Sequence, residues 1–170
     1  TTWRRIRWGI YIPTSGRISR TCEVTSMIEK RFYTGHDLSG RVACKAYYLI
    51  QHGRADGFAK FLEEVVEFSE LGAYIDMPIN TYSEGMAARL LFTLLTSSTH
   101  KCLVLDEGFG AGDCNFYKKS ETRINSFIEN SGTLVMASHS EALIKEFCTH
   151  GIVLKHGRLE FRGTVEQAIS

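Results

Sequence analysis

Apolar positions along this chain change their spacing twice, and the changes divide it into elements. Over residues 41–52, Val42, Ala46, Tyr47, Leu49 and Ile50 recur at the three- and four-residue spacing of a helix with one buried face. A stronger stripe covers residues 57–71: Phe58, Phe61, Leu62, Val65, Phe68 and Leu71 keep the rhythm, and Gly72 reads as its stop. Ser83 is a natural N-cap for a third helix carrying Met86, Leu90, Leu91, Leu94 and Leu95. The period then disappears. Cys102-Leu103-Val104-Leu105 and Thr133-Leu134-Val135-Met136-Ala137 are unbroken apolar runs, the pattern of strands buried on both faces. Between them Asp113 is placed to cap a helix with Phe116, Ile124, Phe127 and Ile128 on one side. The chain closes on a helix over 141–148, a strand at 152–154, a turn at His156-Gly157 and a returning strand at 159–161. Its opening is less regular: a short helix over 1–9, a turn at Pro13-Thr14-Ser15-Gly16 and a strand over 18–27.

Helices alternating with buried strands predict an α/β protein with a mainly parallel sheet. Composition agrees with a packed domain: 170 residues, 44% hydrophobic, with 10 Phe, 7 Tyr and only 2 Pro. The 20 Lys+Arg against 19 Asp+Glu leave a formal charge of +1, which removes the simplest case for a nucleic-acid-coating protein or a polybasic membrane binder. Five cysteines, odd in number and scattered, fit neither a disulfide framework nor a zinc site, so reduced thiols in a cytosolic protein are expected, with Cys102 a small core residue. No apolar run approaches the roughly 20 residues of a membrane span. Any membrane role is therefore expected to be peripheral. The start at Thr1 rather than Met reads as that of a fragment.

In a parallel sheet, functional groups gather beyond the carboxyl ends of the strands. The first buried strand ends in Asp106-Glu107. Either it simply ends in solvent, or one carboxylate holds a divalent cation while the other activates water. The next ends in Ser138-His139-Ser140, where the histidine is either a surface residue at a helix start or a sensor of a phosphate oxygen. Tyr82-Ser83-Glu84-Gly85-Met86 is either an ordinary helix opening or an anion site made by free N–H groups, the Ser83 hydroxyl and the helix dipole.

The order of these segments resembles the ABC-type ATPase. Tyr82-Ser83-Glu84-Gly85-Met86 resembles its signature motif, and Leu103-Val104-Leu105-Asp106-Glu107 its Walker B strand with the catalytic glutamate. Gly110-Ala111-Gly112-Asp113 is similar to the D-loop, and His139 to the switch histidine. Thr1-Thr2 resemble the close of a Walker A loop, and Gly9-Ile10-Tyr11 with Pro13-Thr14-Ser15-Gly16 the helix and turn directly after it. The Tyr-Ser-x-Gly-Met form, Phe68-Ser69-Glu70-Leu71-Gly72, Pro78 and Leu38-Ser39-Gly40-Arg41 are similar to the branch that exports O-antigen, capsule or teichoic acid.

The resemblance implies a P-loop NTPase-type core over the single domain 1–170, incomplete at its N-terminus, with a helical signature subdomain at about 41–98. It implies an ATPase that takes ATP and Mg²⁺, with Glu107 and His139 catalytic. Thr1, Thr2, Ser83, Gly85, Asp106 and Asp113 would bind nucleotide, and Thr1 and Asp106 would serve Mg²⁺. The implied partners are a transmembrane permease and a second ATPase subunit in a homodimer, with no nucleic acid. The implied place is peripheral, on the cytoplasmic face of the bacterial inner membrane. Three departures qualify this. The Gly-Lys loop expected before Thr1 is absent, so the chain alone is expected to be inactive. Glu84 stands where a small residue is usual, and Glu29 falls in register with the Q-loop glutamine. Two alternatives stay open: a degenerate, non-hydrolysing subunit, and a non-transport ABC-type ATPase acting on nucleic acid.

Overall fold

Local capping sets the helix boundaries of this computed structural model, which describes residues 12–19, 24–26, 37–97, 101–106, 114–130 and 132–170. Helix α1 (Gly40–His52) opens on Ser39, whose hydroxyl oxygen accepts from the Val42 amide at 3.4 Å. It closes on Gly53 at φ 68°, whose N–H bonds Leu49 O at 2.8 Å. Helix α2 (Phe58–Ser69) buries Leu62 and Val65 but ends before the expected Leu71. Glu70 takes the left-handed conformation, φ 58°, and its N–H bonds Val66 O at 3.1 Å. Gly72 therefore opens a 3₁₀ turn, Gly72–Asp76, instead of stopping the helix.

A second 3₁₀ turn, Ile79–Thr81, leads to helix α3 (Glu84–Thr96). An isolated antiparallel bridge, Ser39 to Pro78, draws this connection back against the start of α1. Arg41 reinforces it with a two-pronged contact on Asp76: Nε to Oδ1 at 2.5 Å and Nη2 to Oδ2 at 3.0 Å. At Gly40 an added Cβ would collide with the Tyr82 hydroxyl, so the close approach needs glycine.

Strands β1 (Val24–Ser26), β2 (Cys102–Asp106) and β3 (Thr133–Ala137) form a parallel sheet in the order β1-β2-β3. Of the strand expected over 18–27, only Val24–Ser26 is strand among the described residues. From Cys102 to Leu105, β2 is at most 5% exposed, which explains its unbroken apolar run. Helix α4 (Cys114–Glu129) is the crossover from β2 to β3, as parallel pairing requires. Helix α5 (Glu141–Phe147) comes after β3 and leads into a hairpin of β4 (His150–Lys155) and β5 (Arg158–Thr164). The hairpin turns at His156 (φ 50°) and Gly157 (φ 79°), the paired positive angles of a two-residue hairpin turn. A capping box of Thr164 and Gln167 opens the last helix, α6 (Val165–Ile169).

Among the described residues, two apolar clusters pack helices α1 to α5 with one another and with β2 and β3, and α3 belongs to both. Its Leu90 and Leu94 pack with Cys44 of α1, Leu62 and Val65 of α2, and Leu71 and Ile75. Its Leu91, Phe92 and Leu95 pack with Leu103 and Leu105 of β2, Phe116 and Ile124 of α4, and Phe147. Burial pushes the Cys44 thiol up to about 12, so it stays protonated and serves as a small apolar residue. Among the described residues no helix is long and apolar enough to cross a membrane.

Candidate functional site

The two strand ends meet at one edge. In the parallel register Asp106 stands opposite Ala137, so β2 and β3 finish side by side, and His139 lies two residues past the end of β3. The serines flanking it serve the backbone. Ser138 Oγ accepts from the Ser140 amide at 3.0 Å, and Ser140 Oγ caps α5 by accepting from the Leu143 amide at 3.5 Å. His139 is left exposed at the tip of this turn, beside the strand edge that ends in Asp106. Thr1, Thr2, Glu29, Glu107, the segment 110–113 with Asp113, and the side chain of Asp106 lie outside the described residues.

Ser83 and Gly85 occupy a different place, at the amino end of α3. The Ser83 Oγ accepts from the Met86 amide at 3.2 Å, and the Ser83 carbonyl accepts from Ala87 N at 3.0 Å. Glu84 and Gly85 hold the first two helical positions, whose N–H groups have no acceptor within a helix. The same groups stand at the positive end of the helix dipole.

Ser83 and Gly85 line a cavity of about 340 Å³ together with Glu70, Leu71, Tyr74, Met86 and Arg89. Glu84 is exposed and is not part of the lining, so its carboxylate does not form the cavity wall. Among the described residues, none at the strand ends lines it either. Within one chain, the described geometry thus joins Asp106 to His139 and Ser83 to Gly85, in two separate places.

Tyr82 is an anchor for this end of the helix. Its hydroxyl donates to Tyr74 O at 2.7 Å, and burial pushes its pKa up to about 12. Glu70 and Arg89, both in the lining, do not stand out as site residues in the sequence. Arg89 sits on the polar side of an otherwise apolar helix, the one signal that marks it. A larger cavity of about 600 Å³ lies between β3, α5 and the β4–β5 hairpin, with Leu134, Met136, Ile144, Phe147 and Ile152 in its wall. Among the described residues, no candidate site residue lines it.

No protein-family model matches the chain. It is 36% identical over 157 residues to the O-antigen export system ATP-binding protein RfbE of Yersinia enterocolitica, covering 92% of this chain and 66% of that protein. To the polysialic acid transport ATP-binding protein KpsT of Escherichia coli it is 36% identical over 171 residues, covering 100% of this chain and 77% of that protein. Among solved structures, an ATP-binding subunit of an ABC transporter superposes with a TM-score of 0.81 at 16% identity, covering 98% of this chain and 74% of that one. The chain spans 66%, 36% and 50% of the length of three curated relatives it matches, two of them teichoic acids export ATP-binding proteins. The α/β fold with its parallel sheet is the ABC ATPase fold. This chain belongs to the ABC-type ATP-binding proteins of bacterial polysaccharide export systems.

Proposed function

We propose that this chain is the ATP-binding and ATP-hydrolysing part of a subunit that energises export of a bacterial surface polysaccharide through a membrane permease. Its kinship with KpsT, spanning 77% of that protein's length, carries the reading. The separation of the two candidate sites supports it. A nucleotide held at the β2–β3 edge of one copy would take the α3 amino end from a second copy, so the working unit is a dimer. Residues 41–98 would form the helical part and the remainder the nucleotide-binding core.

The chemistry asked of such a site is placement and electrostatic stabilisation of phosphoryl transfer to water. Glu107, next to the end of β2, would orient and polarise the attacking water. His139, exposed beside the same edge, would hydrogen-bond the γ-phosphate. Ser83 and the Gly85 amide of the opposing copy would receive the same phosphate at a helix amino end. Asp113 would couple the two sites across the interface. Asp106 and Thr1 offer hard oxygen donors of the kind Mg²⁺ takes, and the position of Asp106 at the strand edge fits that ion. Bound there, Mg²⁺ would offset negative charge on the phosphates. The subunit would dock on its permease peripherally, from the cytoplasmic face of the membrane.

The test is Mg²⁺-dependent ATPase turnover of the subunit at its full natural length, assembled with its permease. Glu107→Gln is expected to reduce turnover by about 10²-fold or more, the usual worth of a positioned general base. A wild-type assembly that binds ATP without hydrolysing it would overturn the reading in favour of a non-hydrolysing subunit.

A further inference from the structure

The amino end of α3 can serve a nucleotide only if it is held at a fixed distance from the strand-end groups, and one side chain is built to hold it. Glu70 uses both carboxylate oxygens on cations from two different helices. Oε2 accepts from Arg89 Nη1 of α3 at 3.3 Å, and Oε1 accepts from Lys119 Nζ of α4 at 2.6 Å. The three side chains are only 25–42% exposed, so solvent screens the network incompletely.

Beneath it lie three rings, one from each helix: Phe68 of α2, Phe92 of α3 and Phe116 of α4, with centroids 5.8–6.2 Å apart. Arg89 stands 5.1 Å over Phe116, and Lys119 and Arg123 stand 5.8 and 3.8 Å from Phe68. Three cations thus converge on this junction. Glu70 bonds two of them.

The backbone gives an independent reason to regard the side chain as purposeful. Glu70 is one of two non-glycine residues with positive φ among the described residues. Left-handed backbone is costly for a residue with a Cβ, and glycine would take the position without strain. A glutamate occupies that position against the preference of its own backbone.

We propose that Glu70 is a positioning residue, clamping α3 to α4 so that Ser83 and Gly85 are held in register with the strand-end groups of the same chain. Arg89 lies six residues beyond Ser83 on the same helix, and both line the same cavity. Lys119 lies five residues into α4, the helix that comes after the Asp106-Glu107 end of β2. The clamp therefore ties one half-site to the crossover helix between the two strands whose ends carry the other. It rests on the ATPase reading above, which assigns both half-sites to one reaction.

The test uses Glu70→Gly in the full-length subunit assembled with its permease. This variant removes the carboxylate and the backbone strain together. The expected result is an unchanged or higher Tm, a kcat for ATP lowered about tenfold, and a KM within twofold of wild type. Misplacement of transition-state groups acts on turnover rather than on ground-state binding. Glu70→Gln, which keeps one acceptor oxygen, should recover part of the rate. A Glu70→Gly kcat within twofold of wild type, or a rate loss matched by a fall in Tm, would overturn the clamp while leaving the ATPase reading intact. Should wild type itself prove inactive, amide hydrogen exchange decides the clamp separately. Exchange over residues 83–89 should quicken at least tenfold in Glu70→Gly with β2 and β3 unchanged, and equal exchange would count against it.

Discussion

Ser83 joins a structural duty to a proposed chemical one, and the two can be separated by substitution. Its oxygen caps α3 through the Met86 amide, and loss of such a cap costs about 1 kcal/mol. Ser83→Ala should therefore lower Tm by about 2–4 °C for a domain of this size. Ser83→Asp keeps an acceptor for the Met86 amide and favours the helix dipole, so Tm should stay near wild type. It also places a fixed negative charge where the phosphate of a partner-bound nucleotide would arrive. Turnover of the full assembly should fall at least tenfold. Ser83→Asp turning over at the wild-type rate would remove Ser83 from the nucleotide site, whatever its melting point. Glu84 next door is a native carboxylate at the same helix end, but it is exposed and outside the cavity wall.

Among elements, α3 is the shared wall, and the 3₁₀ connection between α2 and α3 is fastened to α1 by Arg41 and Asp76. The hydrogen-bonded Arg41 guanidinium holds the Asp76 carboxyl below the usual carboxylate range. A carboxyl depressed in the folded state adds stability above its unfolded pKa, near 4, and loses it as pH falls through the folded value. Wild type should therefore melt above Asp76→Asn at pH 7, with the gap narrowing as pH falls below about 4. A gap that stays the same size as the pH is lowered would assign the difference to something other than this ion pair. Both side chains are about half exposed, which keeps the effect modest.

The elements themselves were legible where one physical signal dominated. Leu103-Val104-Leu105 announced a two-sided strand because both its faces are buried. Ser83 and the His156-Gly157 turn were readable because capping and positive φ have few residue solutions. The end of α2 was not, because the left-handed residue is Glu70, a type that rarely takes that conformation. The Glu70–Arg89–Lys119 network was invisible because its members lie 19 and 49 positions apart, a matter of tertiary packing. In the site, the motif order was legible and the side-by-side register of Asp106 with Ala137 was not.

At the scale of the whole molecule, the parallel sheet joins distant stretches of chain. Val24 of β1 pairs with Cys102 of β2, 78 residues later, and helices α1, α2 and α3 all lie in the interval. By contrast β4 and β5 are joined by two residues, and α2 and α3 pack as near neighbours in sequence. Closing a long loop costs more chain entropy than closing a short one, and contacts between distant residues slow folding. That topology sets the order of assembly: the helices and the hairpin can organise locally, whereas β1 must wait for β2 to be in place. Pulse-labelled hydrogen exchange during refolding should find the amides of α2, α3 and the hairpin protected before those of Val24–Ser26. Earlier protection of β1 would reverse that order. A chain still emerging from the ribosome would meet the same constraint, with Val24–Ser26 waiting for Cys102–Asp106 to be made before the two could pair.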